Sequence, residues 1–266
     1  EISPIFAQIN QKPSLMRKFI LLMAVGVLSV SIAFAQNFTT SNLKPGKSSG
    51  NLTGPTDADY FITHSLSQSV VALASVSCNA GGLHSDNSYL RVFDLPGQFG
   101  INEPINISAV EFGIESANGA SGSQPVVVNI YTLAGPLQFS NLTLIASEPI
   151  VVPDQSLTLF NVPVSAIIPA GSVLVVEIFT PNGQTAGNSF FIGSNSLGQT
   201  APTYIAAADC GIPEIMDLVT VGFPNMHTVL NVYASSAEGS EIPISNWALI
   251  VGLLLISGFV IYRMRS

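Results

Sequence analysis

Charge is scarce in this chain of 266 residues, and positive charge is scarcest. Only 9% of residues are charged, with 8 Lys and Arg against 16 Asp and Glu. Between Gln36 and Glu241 the bases reduce to Lys44, Lys47 and Arg91, facing fifteen acids, a net of 3 − 15 = −12. Such a surface repels phosphate backbones and argues against a nucleic-acid partner. Tryptophan occurs once, at Trp247, so the Cys…Trp…Cys spacing of an immunoglobulin domain is missing. Cysteine occurs twice, without a CxxC pair, which removes the usual thiolate metal and redox motifs. Also absent are GxSxG, HExxH, a P-loop and a GxGxxG opening a helix. The scarcity of charge does not mean disorder, because 47% of the residues are hydrophobic.

What is present begins with addresses at both ends. Residues 16–35 (MRKFILLMAVGVLSVSIAFA) carry a basic start at Arg17 and Lys18, an apolar run and Ala33-Phe34-Ala35, the layout of a signal peptide. Residues 1–15 then read as an upstream extension, and cleavage by signal peptidase leaves Gln36 first. Residues 36–59, rich in Asn, Thr, Ser and Gly, read as a flexible leader. Residues 235–241 read as a polar linker. Residues 242–266 read as a transmembrane helix with Trp247 and Tyr262 at its interfaces and Arg263 and Arg265 on the cytoplasmic side. The middle, 60–234, therefore folds outside the cytoplasm, in the cell envelope or beyond it. There an oxidising compartment permits the single pairing Cys78–Cys210.

That middle is a series of short β-branched runs broken by turn clusters. Strands are expected at 70–76, 88–95, 107–115, 125–133, 142–150, 157–164, 172–180, 189–195 and 227–235. In ISAVEFGIE, Ile107, Ala109, Glu111, Gly113 and Glu115 share one face, and Val110, Phe112 and Ile114 the other. No segment offers a convincing amphipathic helix, and TYIAAA (203–208) is given one helical turn at most. The expected fold is all-β, an antiparallel jelly-roll-like β-sandwich, with Cys78 and Cys210 joining early and late strands.

The tail IPISNWALIVGLLLISGFVIYRMRS resembles bacterial C-terminal sorting signals of the IPTL-CTERM and PEP-CTERM type. Ile242, Pro243, Ser245 and Trp247 fall where that family has its Ile-Pro, Ser and Trp, while Ala248 replaces its Gly. The resemblance implies processing by a sortase-like membrane enzyme and release to the surface. The phrases at 164–181, 190–211 and 221–232 also resemble an uncharacterised β-sandwich module of bacterial secreted and surface proteins.

Chemistry is thin. His84 and Asp86, near Cys78, are the one pair that suggests a hydrolase site. Calcium is the inorganic partner the acids allow, since it needs six to eight oxygens; Asp86 and Asp209 are the ligand candidates. Glu111 and Glu115 are expected to add an acidic patch, and no other cofactor is indicated. For a glycan or protein ligand the candidates are Phe191 and Tyr204, among the aromatics Tyr60, Phe61, Tyr89, Tyr131, Phe190 and Phe223. Regular alternation along 189–195 turns one ring of Phe190-Phe191 outward. The expected function is a non-enzymatic surface or secreted module for adhesion, matrix structure or ligand display. A carbohydrate-binding lectin-like domain is the alternative, and an envelope hydrolase the third reading.

Overall fold

The computed structural model describes residues 36–237 and Arg263. Residues 1–15, the signal peptide and the sorting segment with Ile242, Pro243, Ser245 and Trp247 lie outside the described residues. Among the described residues, no helix is long and apolar enough to cross a membrane.

In chain order the strands are β1 (Asn37–Thr39), β2 (Tyr60–Thr63), β3 (Ser77–Ala80), β4 (Leu83–His84), β5 (Asn87–Asp94) and β6 (Ile105–Asn118). There follow β7 (Ser123–Leu133), β8 (Leu142–Pro153), β9 (Gln155–Ile168), β10 (Val173–Thr180) and β11 (Ser189–Ile192). The last are β12 (Ser194–Asn195), β13 (Thr203–Ala207), β14 (Ile212–Asp217), β15 (His227–Thr228) and β16 (Leu230–Ser236). A short helix, α1 (Leu95–Phe99), is capped by the Asp94 carboxylate and closed by Gly100 in the left-handed region.

The fold is all-β and its strand pairs are antiparallel. One sheet runs β14–β13–β5–β10–β7–β8. In the other, β6 takes β9 along one edge, while its second edge is shared by β16 over its first half and β11 over its last turn of chain. Both sheets contribute to one buried apolar cluster, including Val128, Ile130, Val176 and Ile178 from the first and Val110, Phe112, Ile114 and Val232 from the second. This arrangement is compatible with a β-sandwich. The pairs nest: β7 with β8, β6 with β9, β5 with β10, β2 with β16. Asp154, between β8 and β9, accepts from the Gly119 N–H and so ties together the two turns that cross between sheets.

Alternation holds in the middle of β6 and fails at its ends. Val110, Phe112 and Ile114 face the core as expected, but so does Ile107, which the sequence places with Glu111. The cause is a bulge against β9 between Ile107 and Ala109, which shifts the phase by one residue. A second irregularity, opposite Phe191 and Ile192, turns Ala117 inward.

Other expectations shift more. Residues 70–76 form no strand beyond an isolated bridge at Val71, and TYIAAA forms β13, inside the six-stranded sheet. The residues read as a flexible leader carry β1, which pairs with β3, and Ser48 and Gly46 hydrogen-bond to Val70 and Ala72. Together, 37–59 and 65–76 make a covering layer on the outer face of β6. The expected disulfide is present: Cys78 in β3 is bonded to Cys210 in the turn after β13, Cα atoms 5.9 Å apart.

Candidate functional site

The covering layer is organised by two carboxylates whose place in the β6 pattern predicts an exposed acidic patch. Glu111 and Glu115 are instead both fully buried. Glu115 accepts the backbone N–H groups of Leu73 (3.0 Å), Ala74 (3.2 Å) and Ser75 (2.9 Å), the Ser75 hydroxyl (2.8 Å), and the Ser41 hydroxyl from the leader. Three successive amides around one anion form a nest. It requires Leu73 at φ 66°, a left-handed conformation that a leucine rarely adopts. Glu111 accepts the Thr53 N–H (2.5 Å) and hydroxyl (2.6 Å), the Asn231 amide (2.9 Å) and the Tyr233 hydroxyl (3.2 Å). Gly54 passes so close over the Tyr233 ring that a Cβ there would lie 2.2 Å from it. The leader is thus fastened at two points along β6. Burying a carboxylate is tolerated only with such complete hydrogen bonding.

Beside the nest lies a cavity of about 480 Å³. Its walls are the nest segment 71–76, the loop 222–226, Thr40 from the leader and Ser196 after β12. The loop is shaped by Asp217, whose carboxylate accepts from the Val219 N–H (2.8 Å), and by Gly222 at φ 98°. Met226 is buried and its sulfur accepts from the Val76 N–H (3.4 Å). Phe223 is held edge-on by Phe38 of β1, centroids 5.5 Å apart. Strain at Leu73 sits on the rim of this cavity, where an outlier of this kind is a pointer to function. Every lining side chain is neutral: none is Asp, Glu, His, Lys, Arg, Cys or Tyr.

The candidates read from the sequence, taken residue by residue, lie elsewhere. Asp86 is exposed and accepts from the Asn182 N–H (2.6 Å), and Asp209 is exposed in the turn that holds Cys210. Among the described residues, no group of three or more His, Cys, Asp or Glu is gathered around a point where a metal would bind. Phe191 does not turn outward: both Phe190, in the apolar cluster, and Phe191 are buried, next to the register shift of β11 against β6. Tyr204 is half-buried on the outer face of the six-stranded sheet, opposite Asp217. Burial, and next the Asp217 charge, push its phenol pKa up. Of the aromatics considered, Phe223 alone lines the cavity.

The histidines are occupied. His64 stacks on Phe93 at 4.9 Å, with Nδ1 2.7 Å from the Thr200 hydroxyl and Nε2 2.9 Å from the Val92 carbonyl. Burial first, and the Arg91 charge, lower its pKa to about 4 against the opposing pull of the Val92 carbonyl. His84 is buried with its ring nitrogens each 3.0 Å from a carbonyl, those of Asn188 and Pro181. Desolvation lowers its pKa too. Its ring is spent on the backbone, and Asp86 on Asn182. Arg91, wholly buried on the core side of β5, donates to the carbonyls of Ala201 (2.7 Å) and Thr228 (2.6 Å).

The sequence pattern did not reveal the nest or the cavity. Residues 70–76 look like a strand, and Gly222, Pro224 and Asn225 are the turn residues that could have located the opposite wall.

No protein-family model and no curated protein matches the chain. Among solved structures it is similar to the cysteine protease and lectin-like domains of Cwp84, a surface-layer-associated protein of Clostridium difficile. That match has TM-score 0.43 and 14% identity, over 64% of this chain and 39% of that one. A propeptide-cleaved form of the same clostridial cysteine protease gives TM-score 0.40 and 15% identity, over 63% of this chain and 43% of that one. The chain thus spans less than half the length of the structures it matches.

Proposed function

We propose that this chain is an exported, non-enzymatic module of a bacterial cell surface, serving adhesion, matrix structure or ligand display. In this reading the sandwich is a jelly roll, a description supported by the nested strand pairs. The signal peptide exports it, and the C-terminal segment anchors it in a membrane until a sortase-like enzyme releases it.

The observation that carries the reading is the cavity between the nest and the 222–226 loop. It has the size of a small-molecule site, about 300–1,000 Å³, yet no histidine, cysteine, lysine, tyrosine or carboxylate lines it, and the Ser75 hydroxyl is spent on Glu115 and the Ile192 carbonyl. That lining favours binding over turnover. A carbohydrate-binding module is the form of ligand display that its hydroxyl, amide and phenylalanine lining favours. An envelope hydrolase at His84 and Asp86 has little support, since His84 faces two backbone carbonyls.

Intact mass of the protein from fractionated native cells tests the reading. A chain running from Gln36 to near Glu241, found at the surface or in the medium, is the expected result. A chain retained in the cytoplasm with its signal peptide uncleaved overturns it.

A further inference from the structure

The cavity carries more than its size. In a region with thirteen acids and three bases between residues 36 and 237, a lining free of all charge selects its ligand by exclusion. An ion entering it would lose hydration without finding a counter-charge. A wholly apolar ligand is disfavoured for a different reason. Thr40, Ser196 and Asn225 stand exposed around the opening, and none of their side chains makes a hydrogen bond among the described residues. Four polar side chains near them are used internally: Ser41 and Ser75 on Glu115, Thr53 on Glu111, Asn195 on the carbonyls of Ser67 and Ser69. The three rim groups are hydroxyl, hydroxyl and amide, each able to donate and to accept. The lining also includes Phe223, its ring packed edge-on against Phe38, and Leu73, whose backbone is fixed by its N–H on Glu115.

A ligand that suits both halves presents an apolar C–H face to the phenylalanine and a fringe of neutral hydroxyls to the rim. We infer that this cavity binds a single uncharged sugar unit of a larger glycan, between Phe223 and the Thr40–Ser196–Asn225 rim. The inference rests on the ligand-display reading and specifies its ligand. Acidic sugars are excluded by the same features, because the lining supplies no cation and the surrounding net charge is negative.

The test is an array of neutral and acidic oligosaccharides probed with the full chain and with two variants. Asn225→Leu keeps the size of an exposed side chain and removes its donor and its acceptor from the rim. Phe223→Ala removes the stacking surface, and its folding is checked by thermal denaturation. Binding to neutral glycans, weakened about tenfold or more by each variant, is the expected result. Binding to acidic glycans alone, binding indifferent to both variants, or no binding to any glycan would each overturn the assignment. If the chain reaches the cell surface but binds no glycan, the ligand is wrong and the display reading stands. If it binds neutral glycans but stays in the cytoplasm, the display reading fails and the site stands.

Discussion

Val110, Phe112 and Ile114 on one face of β6, and Glu111 and Glu115 on the other, are all fully buried. The two faces reach that state by opposite chemistry. The inner three pack into the apolar cluster shared by both sheets and gain by leaving water. The outer two lose hydration and are compensated by nine hydrogen bonds, five to Glu115 and four to Glu111, from segments far away in sequence. The inner face therefore sets whether the domain folds. The outer face sets where the leader and the nest segment lie, and through them the walls of the cavity. A carboxylate under a covering layer is a directional device, since its stability depends on particular donors at particular positions.

The comparison breaks most visibly on the inner side. Phe112→Ala should cost about 4 kcal/mol, because it removes a fully buried ring and leaves a cavity. Urea denaturation would read the loss as a lower midpoint, and hydrogen exchange would accelerate throughout both sheets. Glu115→Ala should come next, at about 3 kcal/mol, since buried donors are left without an acceptor. Its signature differs. The amides of Leu73, Ala74 and Ser75 and the leader should exchange faster while those of β7 and β10 stay protected. If Glu115→Ala loosened both sheets as uniformly as Phe112→Ala, the division between a folding face and a positioning face would be wrong.

The inner layer has polar exceptions of its own, and His64 gives it a pH dependence. Its folded pKa of about 4 lies below the ordinary value of 6.5, so the fold holds the neutral ring. As pH falls, the unfolded chain takes up the proton first. The contribution is therefore complete above about pH 6.5 and is lost as pH falls towards 4, an upper bound of roughly 3 kcal/mol. His84 and His227 are lowered as well and act in the same direction. Urea midpoints measured from pH 7 to pH 4 should decline, and His64→Gln should flatten part of that decline. An unchanged slope in the variant would remove His64 from the account.

How much of this was legible in the sequence follows the same division. Inner-face strands announce themselves by period, so β5 to β10 lie close to their expected positions, and a chain with two cysteines leaves Cys78–Cys210 as the single pairing. The bulge before Ala109 left no mark in the pattern, and it misplaced Ile107. The outer layer was unreadable for a physical reason. A period-two pattern separates apolar from polar and cannot tell a carboxylate facing water from one facing a nest of amides. Residues 70–76 are apolar enough to look like a strand, yet their amides are used by Glu115. The leader is polar enough to look unstructured, yet Ser41 and Thr53 are its fasteners. The cavity inherits both errors, since its walls come from those two segments.

The smallest effect tests where the two faces meet. At Gly113 the outer edge of β6 passes from β16 to β11, and three backbones converge: Gly113 N–H donates to Val229 O (2.9 Å), Gly193 N–H to Gly113 O (2.6 Å), and Val229 N–H to Gly193 O (3.0 Å). Neither glycine is there for a left-handed φ, as neither has one. Space is the reason. A Cβ on Gly113 would lie 2.8 Å from Val70 Cγ2 in the covering layer and 2.9 Å from Gly193 Cα; one on Gly193 would lie 2.4 Å from the Gly113 carbonyl carbon. Alanine at either position gains something from a less flexible unfolded chain, about 0.4–1 kcal/mol, and loses about 1–3 kcal/mol to overpacking. A net cost of about 1–2 kcal/mol is expected for both, with different destinations. Gly113→Ala meets Val70, a side chain in the covering layer, most closely and the Gly193 backbone only marginally, so most of its strain should appear as faster exchange in 70–75. Gly193→Ala meets backbone, which cannot step aside, so β6 and β11 should separate and the loss should spread into the five-stranded sheet. Equal exchange patterns from the two variants would mean that the covering layer and the sheet beneath it yield as one body.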